Sequence, residues 1–159
     1  MPKTQLKNLM SNTYYSNLIK EQYSGDDSET ISFLQFLYFS YILSSFDNDF
    51  VDEFYLIAQD DIEHHKLLGE CIVKLGGDPT YYSSKNTYLN GKNVEYTKGI
   101  KQMILRGIEI KEKSIINYKI LISKIIEKEI KNILEIILVD EQKHKEMLKN
   151  MLKKYENNT

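Results

Sequence analysis

The chain has 159 residues, which is enough for one domain whose hydrophobic core needs no disulfides. Its 21 basic and 23 acidic residues leave a formal charge of −2, so its charge does not indicate a nucleic-acid partner. The single cysteine, Cys71, excludes an intramolecular disulfide and a Cys-x-x-Cys metal site, and it fits a reducing compartment. We expect one domain, 1–159, in a cytoplasmic protein.

No membrane association is expected from the sequence. The N-terminal residues lack the apolar segment of a secretory signal. The most apolar run, 31–46, includes serines and a glutamine, and it is shorter than the roughly 18 to 20 apolar residues of a membrane-spanning helix.

The spacing of helix breakers predicts long helices, because there are only two prolines and seven glycines. In chain order we expect a short helix near 3–20 and long helices near 28–46, 48–76, 97–125 and 128–155. The Tyr- and Asn-rich stretch 78–96 is the predicted long connection. Two short links and one long crossover predict an all-α fold, an antiparallel four-helix bundle with its core at about 28–155.

Two acid-x-x-His units lie in the second and fourth long helices. They are Asp61 with His64 and Glu141 with His144. Residues three apart share a helix face, so each unit can offer a carboxylate oxygen and an imidazole nitrogen to a metal ion. Each unit also interrupts an apolar stripe with steps of three and four, which places it in the core. Buried carboxylates and imidazoles of this kind need each other or a cation.

The other two long helices each carry a candidate carboxylate. Glu29 lies at the start of the inward face of the first long helix. An acid at this place could also be explained by its favourable interaction with the dipole at the helix N-terminus. In the third we prefer Glu112 to Glu109, because the neighbours of Glu109, Arg106 and Lys113, indicate a solvated face. Four carboxylates and two imidazoles form the ligand set of di-iron and di-manganese bundles.

These elements, in this order, resemble the ferritin-like superfamily, specifically its bacterioferritin and rubrerythrin-like branch. The resemblance covers roughly residues 20–155. It rests on Glu29 with Gln35-Phe36, on Asp61-Ile62-Glu63-His64, on Glu112-Lys113-Ser114 and on Asp140-Glu141-Gln142-Lys143-His144.

The resemblance implies a set of metal ligands. Glu29 and His64 would bind one ion, Glu112 and His144 the other, and Asp61 and Glu141 would bridge them. Asp60 and Asp140 are either acids that orient the imidazoles or members of a solvated face.

Three departures from the family pattern refine this expectation. Asp61 stands where the family usually has glutamate, which shortens one bridging side chain. Ile62 stands where bacterioferritin has its haem-ligating methionine, so no haem is expected. With Cys71 alone the chain cannot supply the four cysteines of a rubredoxin domain, so an external electron-donor protein is implied. Tyr118 is expected to pack in the core, with electron relay near a metal pair as the alternative.

The function implied by the resemblance is an oxidoreductase with two iron ions, manganese being the alternative metal. It would reduce hydrogen peroxide or O₂, or oxidise Fe(II), as a homodimer or larger homo-oligomer. Two other functions stay open: an iron-storage subunit of bacterioferritin type and a non-catalytic ferritin-like scaffold.

Overall fold

The computed structural model describes residues 10–46 and 49–159. The helices are α1 (Thr13–Ser24), α2 (Glu29–Ser44), α3 (Val51–Lys74), α4 (Ile100–Lys124) and α5 (Lys128–Asn157), with a 3₁₀ turn at Gly91–Asn93. The four long helices agree with the predicted ones to within a few residues. Of the short helix predicted near 3–20, residues 13–20 lie in α1, which continues to Ser24. Residues 10–12 are not helical, and residues 3–9 lie outside the described part of the chain.

The four long helices form the predicted antiparallel bundle. α2 packs mainly on α3, α4 packs mainly on α5, and α1 lies against α3. Among the described residues, β-structure is limited to one isolated bridge between Tyr82 and Tyr88. In the same part of the chain no helix has the length and apolar character to cross a membrane.

The connection between α3 and α4 is the predicted long crossover, and side chains of the first helices hold it in place. The Gln35 amide donates to the carbonyl oxygen of Glu95, and the Glu95 N–H donates back to the Gln35 side-chain oxygen, both over 2.8 Å. The Tyr23 hydroxyl donates to the carbonyl oxygen of Pro79 over 2.9 Å. These bonds satisfy backbone groups that a loop otherwise leaves to water.

The inward faces of α3 and α5 have the predicted register. All predicted stripe positions are buried: Phe50, Phe54, Ile57, Asp61, His64, Leu68, Cys71 and Leu75 on or beside α3, and Ile130, Ile133, Ile137, Glu141, His144, Leu148 and Met151 on α5. Burial raises the pKa of the Cys71 thiol to about 12, so this cysteine is a neutral packing residue.

The inward face of α4 differs from the prediction by one residue. The predicted stripe placed Glu112 between Ile108 and Ile116, with Leu105 and Ile115 beside them. Of these five, Leu105, Glu112 and Ile116 are exposed, Ile108 is half-buried and Ile115 is buried. A buried stripe with steps of three and four runs through Ile104, Gly107, Lys111, Ser114, Tyr118, Leu121 and Ile125, and Met103 and Ile115 are buried beside it. Apolar residues occur on both faces of α4, so periodicity alone does not choose between them.

Gly107 shows why α4 takes this rotation. A Cβ at Gly107 would lie 3.0 Å from Phe36 Cε1 and 3.1 Å from Leu148 Cδ2. Because glycine has no Cβ, α4 approaches α2 and α5 closely along this face.

Candidate metal centre

A polar layer crosses the middle of the bundle between two apolar clusters. One cluster joins α1 to the C-terminal half of α3 and the N-terminal half of α5, and the other joins α2 to the opposite halves of these helices. Five of the predicted ligands lie in the layer and are buried: Glu29, Asp61, His64, Glu141 and His144. The predicted sixth ligand, Glu112, does not.

Each histidine of the layer is oriented by an aspartate from the opposite helix. His64 Nε2 lies 3.0 Å from Asp140 Oδ2, and His144 Nε2 lies 2.8 Å from Asp60 Oδ2. The sequence placed these aspartates one turn before a histidine of their own helix, whereas the contacts cross between α3 and α5. An N–H donated to a carboxylate fixes the ring, so that Nδ1 faces the centre of the layer.

The Nδ1 atoms and a carboxylate oxygen have no hydrogen-bond partner. His64 Nδ1 lies 3.5 Å from Glu141 Oε1, 3.7 Å from Asp61 Oδ1 and 3.8 Å from Glu29 Oε1. His144 Nδ1 lies 3.7 Å from Asp61 Oδ1 and 3.6 Å from Glu141 Oε1. Glu29 Oε2 and both Nδ1 atoms are buried without a partner. Such buried orphan atoms are rare unless something satisfies them.

The spacing of these atoms suits a metal ion. One atom from each of Glu29, Asp61, His64 and Glu141 lies within 4.8 Å of the others. Ligands at about 2.0 to 2.2 Å from a common ion are themselves about 3 to 4 Å apart. His64 Nδ1 lies 3.5 to 3.8 Å from an oxygen of each of the three acids, which is within that range. The donor set of carboxylates and imidazole therefore fits one ion on this side of the layer.

Lys111 is the unpredicted member of the centre. Its ammonium is fully buried and donates to Asp61 Oδ1 over 2.7 Å, to both oxygens of Glu141 over 3.0 and 3.1 Å, and to Ser32 Oγ over 3.3 Å. The Ser32 hydroxyl in turn donates to Asp61 Oδ2 over 2.5 Å. A buried lysine with three donated bonds to two carboxylates is a fixed positive charge in the bundle core.

The prediction that Glu112 faces the core is wrong. Its side chain is 48% exposed and pairs with Lys145 over 3.4 Å. Lys111 faces inward instead. The sequence carries only a weak signal for this face: the small residues Gly107 and Ser114, four before and three after Lys111, suit close helix packing.

Tyr118 is buried, as predicted, but it also contacts a predicted ligand. Its hydroxyl donates to Glu29 Oε1 over 2.5 Å, which leaves Glu29 Oε2 as the free oxygen. Burial and the Glu29 carboxylate raise the pKa of Tyr118 well above its usual value, so the phenol keeps its proton.

In the metal-free centre, the charged side chains shift one another's pKa values. Burial opposes the charged form of His64, but the hydrogen bond to Asp140 and the nearby Glu141 and Glu29 carboxylates outweigh it and raise the histidine pKa to about 12. Burial raises the pKa of Asp61 to about 7, although the Lys111 ammonium acts in the opposite direction. Metal binding at His64 Nδ1 must therefore displace a proton.

The fold and this centre define the class of protein. The structure matches KatB, a manganese catalase from Anabaena PCC7120, with a TM-score of 0.86 and 18% identity over 93% of this chain and 75% of that one. It matches the Mycobacterium tuberculosis bacterioferritin BfrA with a TM-score of 0.78 and 17% identity over 94% and 90% of the two chains. These identities show a shared fold, the ferritin-like helical bundle.

The sequence narrows this class to a family. The rubrerythrin family model matches residues 28–152, which include the four long helices almost completely. The chain therefore belongs to the rubrerythrin family, as the resemblance in the sequence implied. No curated protein sequence matches it significantly.

Proposed function

We propose that this protein is a metal-dependent oxidoreductase that binds iron or manganese in the polar layer and reduces hydrogen peroxide or O₂ with electrons from a separate donor protein. The observation that carries the proposal is the buried group of Glu29, Asp61, His64 and Glu141, whose ligand atoms lie within 4.8 Å of one another. Hard carboxylate oxygens with imidazole nitrogen suit Fe(II), Fe(III) and Mn(II).

The atoms without hydrogen-bond partners support a bound cation more strongly than the burial of the candidate ligands does by itself. Leaving a buried polar atom without a partner costs about 1–3 kcal/mol. Three such atoms, Glu29 Oε2, His64 Nδ1 and His144 Nδ1, lie in one layer of this bundle. A metal ion would satisfy ligands of this type.

The protein residues have separate roles in the proposed reaction. Asp140 and Asp60 hold the two imidazoles by Nε2, and Tyr118 holds Glu29 by one oxygen. The apolar clusters on either side of the layer exclude bulk water. Bound iron or manganese would supply the change of valence that carries electrons to the oxidant.

The proposed reaction is balanced by an external reductant. Hydrogen peroxide takes up two electrons and two protons and gives two water molecules. The protons come from the solvent, because the Tyr118 phenol beside Glu29 keeps its proton and the Lys111 ammonium is a fixed charge between the carboxylates. The electrons come from a donor protein.

The test is metal content followed by peroxide turnover. We expect metal-free protein to take up Fe(II) or Mn(II) and, once loaded, to consume peroxide faster when a one-electron reductant is supplied. An oxygen electrode separates this reaction from disproportionation, which releases O₂. Glu141→Gln should lower both metal binding and turnover, whereas Glu146→Gln on the same helix, with its side chain 68% exposed, should change neither.

Three results would contradict the proposal. A chain that binds no Fe(II) or Mn(II) has no such centre. A loaded chain no faster than the free ion does not catalyse the reaction. Hundreds of iron atoms per assembled chain would indicate storage instead.

A further inference from the structure

The two halves of the bundle carry matching residues at the centre, with one exchange. α3 and α5 each supply an aspartate, a bridging acid and a histidine at the same spacing. α2 supplies Glu29 followed three residues later by buried Ser32, and α4 supplies Lys111 followed three residues later by buried Ser114. Lys111 therefore stands at the position in the second half that Glu29 holds in the first.

This exchange changes the charge that the centre has to neutralise. Three buried carboxylates, Glu29, Asp61 and Glu141, carry three negative charges when ionised, and the Lys111 ammonium carries one positive charge. Two negative charges remain, which one divalent cation neutralises. A second divalent cation would leave an excess of positive charge on the fully buried groups. Only Asp60 and Asp140, whose side chains are 44% and 24% exposed, would offset it, and poorly compensated buried charge is unfavourable.

The polar layer has a His64 side and a His144 side, and the atoms free to bind a metal ion are divided unevenly between them. On the His64 side, Glu29 Oε2 and His64 Nδ1 are free of hydrogen bonds. On the His144 side, only His144 Nδ1 among the described residues is free in this way. Asp61 Oδ1 and Glu141 Oε1 lie near both imidazoles and accept bonds from Lys111, so they do not distinguish the two sides. The carboxylate expected to complete this side lies on the surface at Glu112, paired with a lysine.

We propose that the centre holds one metal ion, on the His64 side, and that the ammonium of Lys111 takes the place of a second ion. The ligands of the single ion are Glu29, Asp61, His64 and Glu141. This inference rests on the proposed function, since it assumes that the centre binds metal, and it replaces the two ions that the sequence implied with one.

The assignment also implies a function for Lys111 beside the single ion. Its ammonium donates to both central carboxylates and so supplies positive charge where a second metal ion would. Unlike an iron or manganese ion, the ammonium cannot change its valence. The ammonium would then lie beside the single ion as a permanent positive charge whose N–H groups are already donated to Asp61, Glu141 and Ser32. A ligand that carries negative charge would be favoured there.

The experiment counts ions in the full-length chain. Metal-free wild type, Lys111→Glu and Glu112→Gln are titrated anaerobically with Mn(II), and bound metal is measured by calorimetry and elemental analysis. We expect about one ion per chain in wild type and Glu112→Gln, and about two in Lys111→Glu, which restores the carboxylate that the first half has at Glu29. Electron paramagnetic resonance should show an isolated Mn(II) in wild type and a coupled pair in Lys111→Glu.

Each other outcome has a defined meaning. Two ions in wild type would overturn the inference, while metal binding itself would stand. A fall to one ion in Glu112→Gln would then show that α4 turns Glu112 inward on loading. One ion in folded Lys111→Glu would overturn the assignment of Lys111 to the place of the second ion. No ion in any variant would overturn the proposed function as well. If Lys111→Glu unfolds without metal, refolding it with Mn(II) gives the same count.

Discussion

Replacing Lys111 by methionine tests the charge balance of the centre without any metal. Methionine has a similar length but no charge, so Asp61 and Glu141 lose their shared donor while their side chains stay 0% and 1% exposed. Removing one partner of a buried ion pair costs about 3–5 kcal/mol. We expect a loss of this size in the free energy of unfolding of the metal-free variant at about pH 8.5.

The loss should depend on pH, because a proton can replace the missing ammonium. The pKa of Asp61 is already about 7 beside Lys111, and removing the ammonium raises it further. When the folded chain holds a proton that the unfolded chain has released, the free energy of unfolding falls as the pH rises. Below about pH 7 both proteins hold this proton, and above it only the variant does. The difference between them should therefore grow by roughly 1.4 kcal/mol per pH unit above about 7.

The assay is urea unfolding followed by far-ultraviolet circular dichroism, with chelator present and equal chain concentrations, at about pH 6 and pH 8.5. A urea slope of about 1–3 kcal/mol/M converts the expected loss at high pH into a midpoint shift of about 2 M. The matched control is Lys113→Met on the same helix, whose ammonium is 47% exposed and pairs with Glu109 over 3.1 Å. An exposed pair of this kind contributes less than about 1 kcal/mol.

Equal losses in Lys111→Met and Lys113→Met at both pH values would refute the reasoning. The ammonium would then not lie between two buried carboxylates. A large loss that is the same at both pH values would instead contradict the assignment of the replacing proton to Asp61.

Three further substitutions test individual contacts. Asp140→Ala should weaken metal binding about 10- to 100-fold in a calorimetric titration, because His64 loses the acid that orients it. Glu112→Gln should leave the dissociation constant unchanged, because this carboxylate is exposed. Gly107→Ala should lower the urea midpoint: the new methyl carbon lies 3.0 Å from Phe36 Cε1, and overpacking by about 1–3 kcal/mol exceeds the gain in helix propensity of about 1 kcal/mol.

Contradicting results are equally specific. Unchanged affinity in Asp140→Ala would mean that the contact with His64 does not orient a ligand. Weaker binding in Glu112→Gln would place Glu112 at the metal. A more stable Gly107→Ala would mean that α4 does not approach α2 as closely as described.

The sequence by itself determined the helices and most of the centre. The order of apolar positions on α3 and α5 leaves one inward face for each, so Asp61, His64, Glu141 and His144 were placed correctly in the core. This works because helix geometry fixes the spacing of residues along one face, whatever the rest of the protein does. Sparse glycine and proline marked the helix ends for the same local reason.

Only the tertiary structure decided the rotation of α4 and the contacts between helices. Apolar residues occur on both faces of α4, and a lysine is expected at the surface unless buried carboxylates pair with it in the core. Lys111 turns inward where Asp61 and Glu141, from two other helices, converge on its ammonium. In the same way, spacing along α3 and α5 placed an aspartate before each histidine, but only their packing pairs each aspartate with the histidine of the other helix. Periodicity describes one helix at a time, whereas the charge and ligand balance of this centre depends on four.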